Sequence, residues 1–329
     1  MEASTETASC EGSELSLDSF AAPIESAMNA SYSGSSLHSL QTEEASFSPP
    51  SDPQLPRNAF TVDVEDWYQS CLDYDAPITE RVVRNVDRIL SVLDECGVKG
   101  SFFVQGRVAE TFPKLVSGLV AEGHEVQSHG YSHRPLFAMS KREVRDELER
   151  AKKTVEDAAG TAVMAFRAQD FSILASNLWA LEILHEVGFE VDSSIFPMRS
   201  RHYGIANWRL EPHYVLMNGG ARILEVPVAI WSLGWTRLPV AGGGYFRVLP
   251  RRLIERGFRS IATNGRPAIV YCHPYEFNDD ELAEYPDVPR RLRFSQGIGR
   301  SAFTDRVRRL LTEFPFGRFT DVLTAWGLR

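Results

Sequence analysis

From Asn58 onward, short apolar runs alternate with segments whose apolar residues recur every three to four positions. AFTVDVED reads as a strand. Ile78 to Cys96 then carries Val82, Val83, Val86, Ile89, Leu90 and Leu93 on one helical face until Gly97 stops it. The scheme repeats with SFFV as a strand, Lys114 to Glu122 as a helix and Glu125 to Ser128 as a strand. Ser140 with Glu143 is a capping-box signature and predicts a long helix ending at Gly160. Further strands are predicted at VMAFR, FEVDSSI, LEVPVAI and AIVYC, with helices at Asn177 to Val187, Leu249 to Thr263 and Thr304 to Leu311. Strands spaced by helices of this length imply parallel pairing through right-handed crossovers, in an open doubly wound sheet or a closed barrel. Both architectures put chemistry at the carboxyl ends of the strands.

The first 56 residues follow neither period. They hold 14 serines, a proline-rich exit (Pro49, Pro50, Pro53, Pro56) and few large aliphatics, a composition that cannot offset its own ordering entropy. We therefore expect a disordered acidic, Ser-rich tail over residues 1–57 and one catalytic domain over 58–329. The division changes the meaning of the net charge of -9. Residues 1–56 carry nine acids and no Lys or Arg, so residues 57–329 balance 35 acids against 35 bases. A neutral body offers no basic footprint for a phosphate backbone, which argues against nucleic acid as a partner. No apolar run reaches the length of a membrane span, the start lacks the pattern of a secretory signal, and four scattered cysteines suggest reduced thiols. The expectation is a cytoplasmic protein with no membrane span.

Five strand candidates end in charged or imidazole groups. The first ends in Asp63-Val64-Glu65-Asp66, three carboxylates that need a cation or a proton to relieve their repulsion, with Asp63 and Glu65 on one side by the two-residue period. The third ends in His129-Gly-Tyr-Ser-His133, two imidazoles that can face one divalent ion, while a carboxylate from another strand would complete a set open to water. The others end in Arg167, Asp192 and His273. A guanidinium orients a carboxylate, and a histidine titrating near neutrality suits a general acid. Gly242-Gly243-Gly244 lacks the partners of a phosphate-binding loop; it reads as a tight turn that brings Tyr245 and Arg247 toward a ligand. Trp67, Trp231 and Trp235 are either stacking surfaces for a ring-shaped ligand or core.

Taken in order, TVDVED, SHGYSHRPL, FRAQDFSI, DSSIFP and YCHPYEF resemble the five motifs of the polysaccharide deacetylase (NodB-homology) family, carbohydrate esterase family 4, from about Asn58 to the C-terminus. PVAGGGYFRVLP resembles the cytoplasmic subgroup encoded with exosortase-linked exopolysaccharide loci. The resemblance implies an α/β fold, a distorted, seven-stranded (β/α) barrel. It also implies one divalent metal ion, zinc in the usual case with iron, cobalt or manganese as alternatives, and removal of N-acetyl groups from an amino sugar in a glycan. Carried over, Asp63 is the general base, Arg167 its holder, His273 the general acid and Asp192 a neighbour of that acid. His129 and His133 are metal ligands; where the family has adjacent Asp-Asp this chain has Asp-Val-Glu-Asp, so the third is Glu65 or Asp66, with Glu65 favoured by its side of the strand. A backbone N–H near Tyr131 would hold the oxyanion. Gln169 and Asp170 depart from the usual third motif and put polarity and a charge beside the cleft, Asp170 as a residue facing substrate. An exopolysaccharide biosynthesis complex is an expected partner. Rival readings are an amidohydrolase for a small non-sugar amide and a catalytically silent carbohydrate-binding homologue.

Overall fold

The computed structural model describes residues 41–329 apart from 201, 202, 235 and 287. The strands are β1 (Gln41–Glu44), β2 (Asn58–Val64), β3 (Ser101–Val104), β4 (Glu125–Ser128), β5 (Ala165–Phe166), β6 (Val191–Asp192), β7 (His213–Leu216), β8 (Arg222–Glu225), β9 (Ile230–Ser232), β10 (Arg237–Pro239), β11 (Ala268–Cys272) and β12 (Phe316–Gly317). One sheet runs β1-β7-β8-β6-β5-β4-β3-β2-β11, with β12 also on β2. The seven strands from β8 to β11 in that order are mutually parallel. The segment after β8 spans the remaining gap: the Ala229 N–H donates to Ile269 O at 2.9 Å and the Tyr271 N–H to Ala241 O at 2.9 Å. A Cβ on Gly242 would stand 1.6 Å from Tyr271 O, so only glycine fits where the two segments cross. The result is a distorted barrel, the closed one of the two forms that the alternating pattern allowed and the one that the resemblance implied.

The helices cover the sheet by burying the predicted faces. Arg81–Glu95 buries Val82, Val86, Ile89, Val92 and Leu93 against the barrel. Lys141–Ala159 begins at a complete Ser140–Glu143 capping box, buries Val144, Leu148, Ala151 and Val155, and ends at Gly160 in the left-handed region. LEVPVAI is not one strand: it divides into β8 and β9 around Pro227, whose missing N–H cannot continue a ladder. Trp67 and Trp231 belong to the core, 1% and 6% exposed, and Trp235 lies outside the described residues.

The expected tail ends earlier than residue 57. Residues 1–40 lie outside the described residues, but β1 pairs antiparallel with β7, Gln41 opposite Leu216 through Glu44 opposite His213. Phe47 then packs on Trp326 with ring centroids 6.1 Å apart, and the Ser48 N–H donates to Trp326 O. Composition marked this stretch as unable to order itself; what orders it is the open edge of β7 and an aromatic at the far end of the chain.

Candidate active site

The strand-end rule places the chemistry. Asp63 is the next-to-last residue of β2 and Glu65 follows the strand, so the two-residue period turns both carboxylates into the barrel mouth, each almost fully buried. β3 lies between β2 and β4, and the chain leaving β4 carries His129 and His133 over it. His133 has φ +67°, an uncommon backbone state for a non-glycine residue, and this turn brings its imidazole back onto Glu65. Glu65, His129 and His133 each offer one ligand atom, all within 4.8 Å of one another. His129 Nε2 is 3.4 Å from Glu65 Oε2, and His133 Nε2 meets the same oxygen. Burial pushes Glu65 up, but the charge of His133 and its bonds to His129 and His133 outweigh it and hold the carboxyl well below its ordinary value. Burial disfavours a charged His133 as well, and Glu65 reverses that and pushes it up to about 8.

The set fits a divalent ion. Glu65 Oε2 is buried and faces only the two imidazole Nε2 atoms, Glu65 Oε1 accepts from the Tyr275 hydroxyl at 3.0 Å, and His129 Nδ1 faces Arg167 O at 2.9 Å. A backbone carbonyl at Nδ1 fixes the tautomer that leaves Nε2 with its lone pair toward the cluster.

Asp66 is not part of this set. Its Oδ1 accepts from the N–H groups of Tyr68 and Gln69, capping the helix Trp67–Cys71, and its Oδ2 accepts from the Thr79 N–H at 2.9 Å and the Thr79 hydroxyl at 2.5 Å. Four donors occupy the carboxylate, and the period of two has turned it away from the mouth. The choice between Glu65 and Asp66 therefore falls to Glu65.

Behind Asp63 stands Arg167, fully buried, with Nη1 2.7 Å from Asp63 Oδ1 and 2.7 Å from Thr61 Oγ1, and Nη2 3.2 Å from Ser193 Oγ. The expected Arg167–Asp63 pair is thus in place. Across the pocket, His273 leaves β11, and its Nε2 is 3.9 Å from Glu65 Oε1. Its partner is not Asp192 but Glu276, whose Oε2 lies 3.2 Å from His273 Nδ1 and accepts from the His273 N–H at 3.1 Å, while Oε1 faces Arg247 Nε at 3.1 Å. Burial works against an imidazolium here, yet the bond to Glu276 and the charges of Glu65, Glu276 and Asp63 prevail and push His273 up to about 9. Glu276 was missed in the sequence, although its spacing of three after a strand-end histidine, across a proline, is a capping-box spacing that reveals it.

Asp192 has other partners. It bonds the Ser194 hydroxyl and lies opposite Glu225 of parallel β8. Burial, and then the charge of Asp192, push Glu225 well above its ordinary value, and burial raises Asp192 as well. Tyr131 is also spent: its N–H donates to Glu147 Oε1 at 2.8 Å, its hydroxyl donates to Glu110, and Arg150 covers its ring at 3.7 Å. A carboxylate from the helix Lys141–Ala159 has taken the N–H expected to hold an oxyanion. Gln169 is a brace: a Cβ on Gly130 would touch it at 2.5 Å, and its amide donates to Arg134 O, so it fills the space under the histidine loop.

Asp63, Glu65, His129, His133, Asp170, Arg247 and His273 line one cavity of about 300 Å³. Asp170, at φ +53°, is exposed in its wall, as expected from its place beside the cleft. Tyr245 is not in the wall, whereas Tyr203 is. The glycine run is more than a turn, since Gly243 opens a helix, Gly243–Val248, that carries Arg247 inward. Phe171, Tyr203, Tyr271 and Tyr275 supply the apolar wall, a role the sequence reading looked for among tryptophans.

Residues 71–190 match the family model for polysaccharide deacetylase, and residues 193–324 match a domain of unknown function (DUF3473). A peptidoglycan-N-acetylglucosamine deacetylase of Bacillus cereus is 34% identical over 96 residues, 29% of this chain and 35% of that protein. A chitooligosaccharide deacetylase of Sinorhizobium fredii is 36% identical over 74 residues, 22% of this chain and 34% of that protein. The matches thus span about a third of these curated relatives. Among solved structures, one from Mycobacterium smegmatis, named provisionally as a polysaccharide deacetylase, superposes with a TM-score of 0.56 at 20% identity over 88% of this chain and 96% of its own. The Puue allantoinase superposes with a TM-score of 0.55 at 15% identity over 85% and 93%. At these identities the structural likeness speaks for the fold. By its family match, residues 71–190 carry a polysaccharide deacetylase domain, similar in sequence to the named deacetylases, within a fold shared with the solved structures.

Proposed function

We propose that this protein is a metal-dependent deacetylase that hydrolyses the N-acetyl group of an amino sugar in a glycan. The observation that carries the reading is the convergence of Glu65, His129 and His133 on one point, with Asp63 and His273 lining the same cavity. The relatives named as peptidoglycan and chitooligosaccharide deacetylases support the substrate class. A divalent ion held by Glu65, His129 and His133, zinc by the donor set with iron, cobalt or manganese as alternatives, would supply Lewis acidity to an amide oxygen and to water there. Asp63, oriented by Arg167, takes the proton of the attacking water. His273, charged and fixed by Glu276, gives its proton to the departing nitrogen, which otherwise would have to leave as an amide anion. Asp170 and the aromatic wall face the sugar. The reading extends to a cytoplasmic setting and to exopolysaccharide biosynthesis, the subgroup that PVAGGGYFRVLP resembles.

The test is acetate release from N-acetylglucosamine oligomers, together with elemental analysis of the purified protein. One equivalent of divalent metal and chelator-sensitive acetate release are expected. Turnover of small cyclic amides alone would move the assignment to an amidohydrolase, and sugar binding without acetate or metal would make the protein a silent binder.

The Glu276–His273 pair makes a separate prediction. His273 donates a proton, so activity falls as pH rises through its pKa. Glu276→Gln removes the partner that raises that pKa, and the alkaline limb of the kcat profile is expected to move down by about one to two units. An unmoved limb would mean that another group sets it.

A further inference from the structure

Six large hydrophobic side chains are exposed among the described residues, and four of them stand on two neighbouring stretches beside the cavity. Val248 (54% exposed) and Leu253 (38%) follow the cavity-lining Arg247, and Phe294 (74%) and Ile298 (39%) flank the cavity-lining Gln296. The stretches touch: Arg247 donates to the carbonyls of Gln296 and Ile298, and a Cβ on Gly299 would lie 2.4 Å from Arg247 O. The two stretches are rich in arginine, while residues 278–287 between them carry five acids, of which Glu281 is buried and Glu284 pairs with Arg81. Residues 288–304 contain Arg290, Arg291, Arg293 and Arg300 and no acid. Residues 240–277 contain six arginines and two acids, and both acids are engaged, Glu255 with Arg251 and Glu276 with Arg247. Arg252, Arg256, Arg290 and Arg291 are exposed. In a chain of net charge -9, the rim of the cavity is thus locally cationic and apolar at once.

That combination is the physical requirement of an interfacial surface: arginines drawn to anionic headgroups, and an aromatic with aliphatic neighbours to enter the acyl boundary. A soluble polyanionic glycan would use the arginines but gains nothing from a phenylalanine 74% exposed to water. Resting on the deacetylase reading of the cavity, we propose that this rim docks the protein peripherally on an anionic phospholipid bilayer, so that its substrate is an amino-sugar glycan held at the membrane. No membrane-spanning element is required, and no helix among the described residues is long and apolar enough to cross a membrane. Gln296 and Arg247 join the rim to the cavity wall, so docking sets the cavity mouth beside the bilayer.

The experiment is co-sedimentation of the full chain with phosphatidylglycerol-containing vesicles and with pure phosphatidylcholine vesicles, at low and high salt, alongside acetate release from a soluble N-acetylglucosamine oligomer. Salt-sensitive binding to the anionic vesicles alone is expected. Phe294→Glu and the double variant Arg290→Glu/Arg291→Glu should each weaken it by at least about tenfold, with soluble-oligomer turnover unchanged. Phe294→Ala, which adds no charge, should weaken it less but measurably. Absence of binding to anionic vesicles, or binding indifferent to these variants, would overturn the proposal. So would a stronger effect of the variants on retention by a soluble anionic polysaccharide, which would make the rim a glycan grip. Soluble turnover without vesicle binding sinks the docking surface and leaves the deacetylase reading intact; vesicle binding without any turnover does the reverse.

Discussion

Asp63→Asn is expected to lower kcat by roughly 10²- to 10⁴-fold with bound metal unchanged, the range removed when a positioned general base is lost. The substitution isolates proton transfer. An asparagine carbonyl can still accept from Arg167 Nη1 at the position of Asp63 Oδ1, so the side chain keeps its place and loses its basicity. The cost lies in Arg167, a buried cation that would keep only the neutral partners Thr61 and Ser193, so a thermal midpoint must accompany the assay. Asp63 is also not among the three side chains that converge on one point. Metal content should therefore be that of the parent protein, whereas His129→Ala should lose metal and turnover together. Retention of full oligomer deacetylation by Asp63→Asn would show that the base is another group.

The second large effect separates two adjacent acids. Glu65→Ala removes the one carboxylate of the converging trio, and its metal affinity should fall by more than about 100-fold, because outer partners of metal ligands alone account for 10- to 100-fold. Asp66→Ala should keep the metal and lose stability instead. It deletes a helix cap and two bonds to Thr79, on the order of 2 kcal/mol in all, read as a lowered urea midpoint. Metal titration and unfolding measured on both variants give opposite signatures. The reverse assignment, a metal-free Asp66→Ala and a metal-replete Glu65→Ala, would require a different turn at the end of β2.

The sequence by itself determined the alternation of strands and helices, the parallel pairing, and the strand-end candidates Asp63, Glu65, His129, His133, Arg167 and His273, all six of which border or brace one cavity. These are local properties. Period two fixes which side of β2 Asp63 and Glu65 share, period 3.6 fixes the buried face of Arg81–Glu95, and strand ends are visible as changes from apolar to charged residues. What only the tertiary structure decided were pairings between residues with no local relation. Composition cannot see that β7 offers an open edge to Gln41–Glu44, so the tail reading ran past residue 40. The resemblance set Asp192 beside His273, but the side chain that holds His273 is Glu276, three residues on. Nor does any spacing show that Glu147 consumes the Tyr131 N–H, or that the stretch carrying Val248 touches the one carrying Ile298. A hydrogen bond between distant segments depends on where the whole barrel puts both ends, and that position is fixed by packing rather than by either segment's own pattern.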